Sequence, residues 1–113
     1  MLLYNENIES EGNKMTTKYE VYLGLNDKDT KQQEITTLNA YKICVNICKD
    51  CSIQEIMGFY THSNGEVVQE KSFKIELFEK SDDEVKDIAE QLKAAFNQES
   101  VIINKVLTDT QFI

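Results

Sequence analysis

Three cysteines, Cys44, Cys48 and Cys51, stand in the spacing C-x3-C-x2-C. Three thiolates so arranged could hold an iron–sulfur cluster with one iron left to an outside ligand. Radical enzymes built on such clusters need a barrel-like domain far larger than 113 residues, with the motif on a loop after an early strand. Here the motif straddles a helix end. At positions i, i+4 and i+7 the three thiols share one helical face, and free Cys is among the most buried residue types. The spacing therefore reads as core packing, and no metal or cofactor is expected. Cys51, nearest the loop, is the thiol most open to reaction. His62 is the only histidine, which excludes a His-rich metal site. It reads as a polar residue flanking a turn.

A second set of chemistry-bearing residues is Tyr22, Tyr60 and Glu70, which could converge near a hairpin. A carboxylate beside aromatic rings could have a raised pKa and act in acid–base work; it could equally be a solubilising charge on a sheet face. No P-loop, Gly-rich phosphate fingerprint or nucleophile elbow is present.

The element that must position these residues is the run Ser52–Glu79. Two β-rich stretches flank Asn64-Gly65, the pair that a tight type I′ turn favours. With Asn64 and Gly65 as the two turn residues, Ser63 faces Glu66. Ile56 then opposes Phe73, Gln54 opposes Ile75, Glu55 opposes Lys74, Met57 opposes Ser72 and Phe59 opposes Glu70. Phe73, Ile75 and Leu77 mark the core face. The other face gathers Ile53, Met57 and Phe59, an apolar group that water alone should not cover. Gly58 could mark a bulge, and a slip of one residue would exchange the two faces.

Around the hairpin, residues 18–25 (KYEVYLGL) alternate as a central strand. Residues 30–50 read as a helix with the stripe Ile35, Leu38, Tyr41, Val45 and Cys48. Residues 81–98 form the clearest helix: Ser81-Asp82-Asp83-Glu84 is a capping box, and Val85, Ile88, Ala89, Leu92 and Phe96 make one apolar face. Residues 101–107 are the last strand. The order β-α-β-β-α-β predicts an α+β, ferredoxin-like fold: a four-stranded antiparallel sheet with two helices on one face. Residues 1–17 read as a flexible polar leader ahead of a single domain over 18–113. Met15 is an alternative start, because Glu11-Gly12-Asn13-Lys14 can be encoded by a ribosome-binding sequence.

The chain resembles a family of small bacterial proteins of unknown function. The resemblance rests on Tyr22-Leu23-Gly24-Leu25, Ile56-Met57-Gly58-Phe59-Tyr60, Asn64-Gly65, Val68-Gln69-Glu70 before Phe73-Lys74-Ile75, and Phe96-Asn97-Gln98-Glu99-Ser100-Val101. Where such relatives carry a Trp after the second-strand Gly, this chain has Tyr60. The resemblance implies the fold rather than any activity.

The formal net charge is −8 and all twelve basic residues are Lys. That argues against nucleic acid as partner, which needs clustered Lys and Arg. No apolar run reaches the roughly 18 residues of a membrane span, and no signal peptide is visible, so the expected location is the cytoplasm, with no membrane partner. The leading functional expectation is a non-enzymatic module that forms a homodimer through the open sheet face (Tyr22, Met57, Phe59, Glu70) and binds a small ligand or a host protein. Two alternatives stand beside it. One is an acidic phage or mobile-element inhibitor of a basic host protein. The other is a small α+β-barrel-type enzyme, with a pocket holding His62, Tyr60 or Glu70.

Overall fold

Alternation along two strands builds the core. In β1 (Asn13–Gly24), Tyr19, Val21 and Leu23 are buried, and in β3 (Val67–Phe78) so are Phe73, Ile75 and Leu77. Successive side chains on a strand point to opposite faces, so these six share one face of the sheet. A computed structural model, which describes residues 13–61 and 63–113, places both helices on that face. Helix α1 (Thr37–Cys48) contributes Ala40, Cys44 and Cys48 to the core; α2 (Asp82–Ala95) contributes Val85, Ile88, Ala89 and Leu92. Burying one large apolar side chain is worth about 1.5–3 kcal/mol, so this layer carries most of the stability.

The remaining strands are β2 (Ser52–Thr61) and β4 (Ile102–Gln111), and the sheet order is β2-β3-β1-β4 with every neighbour antiparallel. The chain has the α+β, ferredoxin-like fold, with β1 and β3 central. Helix α2 begins as expected: Ser81 Oγ accepts from Glu84 N at 3.1 Å, while Glu84 Oε1 accepts from Ser81 N at 2.8 Å. Tyr19 Oη donates to Asp82 Oδ1 in the same first turn, which Lys105 also reaches at 3.0 Å.

Three expectations change. The strand β1 starts at Asn13, whose partner is Gln111, so residues 13–17 are strand rather than leader, and Met15 lies inside it opposite Asp109. The rest of the leader lies outside the described residues. Helix α1 starts later, capped by Thr36, and Leu38 and Val45 are exposed while Ala40 and Cys44 are buried. The small Ala40 lets the helix sit close, a packing demand that apolar spacing does not reveal.

The third change is register. Thr61 pairs with Val67, Gly58 with Glu70, Ile56 with Ser72 and Ile53 with Ile75. The connection is five residues long and centred on Asn64, whose Oδ1 accepts from Glu66 N at 2.9 Å, and Gly65 has φ +88°. The pairing is thus one residue away from the two-residue turn. The slip exchanges the faces of β2: Ile53, Met57 and Phe59 take the parity of the helix side, and Ile56 and Tyr60 that of the open side.

The strands are staggered. β1 meets β3 only from Lys18 to Gly24, opposite Phe78 to Ser72. Beyond Gly24 the β2–β3 hairpin runs on without it. Past Lys18 the β1–β4 pair runs on at the opposite end, and the molecule is 51 × 31 × 24 Å.

Candidate active site

The fork where β1 leaves the hairpin encloses a pocket of about 540 Å³ on the open sheet face. Its floor is Tyr22, Gly24, Ile56, Gly58 and Ser72; Tyr60 and Glu70 stand beyond β1's end; loop 26–31 and residues 98–100 form the wall. The size is in the range of small-molecule sites.

Glu70 is the centre of this arrangement. It pairs with Gly58 across the hairpin, and its carboxylate folds back over the end of β1. Asn26 N donates to Glu70 Oε2 at 2.8 Å. A Cβ on Gly24 would stand 2.6 Å from Glu70 Oε2 and 2.8 Å from Oε1, so the lack of a side chain at Gly24 lets the carboxylate lie there. A charge-assisted bond from a backbone N–H is stronger than a neutral one and fixes the orientation of the acid.

Residues after α2 complete the wall. Gln98, only 9% exposed, donates from Nε2 to Asn26 O at 2.6 Å and to Phe96 O at 3.2 Å. Asn26 is therefore held on both sides, its N–H by Glu70 and its C=O by Gln98. Burial, and secondarily the Glu70 charge, push the Tyr60 hydroxyl above its ordinary value of 10.0. The arrangement offers a negative charge flanked by aromatic rings, which suits an organic cation.

Of the residues singled out in the sequence, Tyr22, Phe59, Tyr60 and Glu70 line this pocket, Phe59 at its rim and 66% exposed. Met57 does not line it; it pairs with Lys71, with the parity of the other face. His62 lies outside the described residues. Cys44 and Cys48 are buried in the core, where desolvation pushes both thiols up to about 12. Cys51 is half-buried and its thiol is also raised, again by burial first. Among the described residues no group of His, Cys, Asp or Glu is arranged to hold a metal ion. Sequence reasoning missed Gly24, Asn26 and Gln98 as parts of a site. The adjoining loop carries a Gly and an Asn at a strand end, a turn signal that gave no hint of a carboxylate 44 residues away.

The fold and pocket define a small ferredoxin-like domain with a ligand-sized, acid-bearing cleft on its open face. The sequence model of the S-adenosylmethionine lyase family matches residues 22–113, and the chain belongs to that family. Two solved structures share the fold. A phage SAM lyase in its apo state is 23% identical, with a TM-score of 0.64 over 87% of this chain and 90% of that one. A phage SAM lyase in complex with S-methyl-5'-thioadenosine is 22% identical, with a TM-score of 0.64 over 97% of this chain and 96% of that one. No curated protein matches the chain.

Family membership overturns the expectation of a non-enzymatic binding module: the family is one of lyases, and the enzyme alternative is the one supported. It also replaces the resemblance to a family of unknown function with a family of named activity. Among the described residues no helix is long and apolar enough to cross a membrane.

Proposed function

We propose that this chain cleaves S-adenosylmethionine in the pocket at the sheet fork, in the cytoplasm, and releases S-methyl-5'-thioadenosine. The observation that carries the reading is the Glu70 carboxylate, held by Asn26 N over Gly24 and flanked by Tyr22 and Tyr60. The substrate is a sulfonium cation with an ammonium group, and a fixed carboxylate among aromatic rings is the environment that attracts such charges.

S-Methyl-5'-thioadenosine keeps the methyl and adenosyl groups on sulfur, so the bond that breaks joins sulfur to the aminocarboxypropyl group. A lyase breaks it without water. The substrate's own carboxylate oxygen can form a bond to the γ-carbon as the carbon–sulfur bond breaks. The electron pair goes to sulfur and the four-carbon fragment closes to a lactone. No proton moves, and a sulfonium and a carboxylate become two uncharged groups. The protein's task is then to hold the chain folded for attack and to exclude water, which alone can lower a barrier by several kcal/mol. Glu70 binds the cationic end, while Tyr22, Tyr60 and Phe59 wall the site.

Incubation with S-adenosylmethionine and mass spectrometry of the products tests this. S-Methyl-5'-thioadenosine with a lactone of the four-carbon fragment is expected, with kcat/KM at least ~100-fold lower in Glu70→Gln, which keeps the shape and loses the charge. Wild-type protein that leaves the substrate intact refutes the reading.

Self-association belongs to the same proposal. Tyr60 and Ile102 are exposed with the parity of the open face, so a second copy seated over that face would cover them. A multiple of the 13.0 kDa chain mass in native mass spectrometry is the expected result, reduced by Ile102→Glu; a wild-type monomer at micromolar concentration excludes it.

A further inference from the structure

We propose that Asn97 is a positioning residue for Glu70, acting through loop 26–31; the inference rests on the reading of Glu70 given above. The hydrogen bond that orients Glu70 comes from Asn26, one residue beyond the last ladder bond, Leu25 N to Lys71 O at 3.1 Å. From Asn26 onward the sheet does not hold the chain. What holds it is the turn after α2. Asn97 Nδ2 donates to Asp27 Oδ2 at 3.0 Å and to Asp29 Oδ2 at 2.9 Å. Lys28 N donates to Asn97 O at 3.0 Å.

Asn97 thus grips the loop at three consecutive residues while not lining the pocket itself. Its backbone has φ +48°, a left-handed conformation that Asn tolerates better than most residues. The position asks for two properties at once. The backbone must turn left-handed, and the side chain must offer two N–H donors to two carboxylates that otherwise repel. Gly meets the first alone; Asp meets the first and adds a third negative charge. Asn meets both. The same loop carries Lys28 and Lys31 to the pocket wall, with Lys31 Nζ donating to Lys28 O at 2.6 Å. Freeing the loop would therefore loosen the Asn26 N–H and move two cationic groups away from the site together.

The test uses the full chain with Asn97→Gly, which keeps the backbone geometry and the bond from Lys28 N and removes both side-chain bonds, to Asp27 and Asp29. Three quantities are read: the Asn26 amide signal and its hydrogen exchange by NMR, the split between kcat and KM for S-adenosylmethionine, and the melting temperature. The expected result is an Asn26 amide shifted and less protected, kcat lower by at least ~10-fold and KM within ~3-fold, as a misplaced group near the chemistry would give. Asp29→Ala, which removes one exposed partner, should move the same signal in the same direction by less, and serves alone if Asn97→Gly does not fold. An Asn26 amide that stays in place, or a lower melting temperature with kcat unchanged, overturns the inference. If the wild-type chain leaves S-adenosylmethionine intact, the reading of the pocket fails, and the Asn26 amide still decides whether Asn97 positions Glu70.

Discussion

The Glu70 carboxylate occupies the space that a side chain on Gly24 would fill, with 2.6 Å between Oε2 and the site of the missing Cβ. Two residues on neighbouring strands share one small volume, and only glycine leaves enough of it for the acid. Gly24→Ala follows as a sharp probe. The clashing atoms are the far end of a flexible side chain, so the chain should fold, with stability within about 1 kcal/mol of wild type, because Ala in a strand recovers about 0.5–1 kcal/mol of backbone entropy. Activity should fall at least ~100-fold as the carboxylate swings off Asn26 N. Urea melts and steady-state kinetics on the same sample separate the two effects; equal activity in Gly24→Ala would mean that the carboxylate's place is irrelevant.

The pH response of Tyr60 reports the same acid from the other side. Its hydroxyl is raised by burial first and by the Glu70 charge second. The negative charge opposes ionisation of the phenol, so Glu70→Gln should move the Tyr60 titration to lower pH while leaving the burial contribution. Ultraviolet difference titration against Tyr60→Phe isolates the signal. A titration unmoved by Glu70→Gln would place the two groups farther apart than the shared pocket implies.

The buried thiols predict an alkaline limit to stability. Cys44 and Cys48 are raised from an ordinary 9.0 to about 12, by desolvation first. A group that binds its proton more tightly when folded adds stability below its unfolded pKa and loses it as pH climbs toward the folded value. Stability should therefore decline between about pH 9 and 12, and Cys44→Ala should flatten that decline although it lowers stability at pH 7. Alkylation at pH 8 should mark Cys51 before the other two; labelling of Cys44 in the folded chain would contradict the packing.

What the sequence determined by itself was local. The capping box at Ser81–Glu84, the alternation of Tyr19, Val21 and Leu23, and the apolar run Phe73, Ile75 and Leu77 depend on neighbours within one turn or one strand, so the order of elements and the ferredoxin-like fold could be read directly. The face of β2 could not. Ile53, Met57 and Phe59 on one parity compete with Ile56 and Tyr60 on the other, and the two sets differ too little in apolarity to fix the register. Packing of Ile53 opposite Ile75 beneath the helices decided it. That one-residue slip set Gly58, rather than Phe59, opposite Glu70 and turned Tyr60 toward the open face. Tertiary structure alone likewise brought Asn26 to Glu70 and Asn97 to Asp27, contacts 44 and 70 residues apart in sequence. Hydrogen bonds of that span leave no periodic trace in the chain, because each needs only one donor and one acceptor that the fold happens to bring within 3 Å.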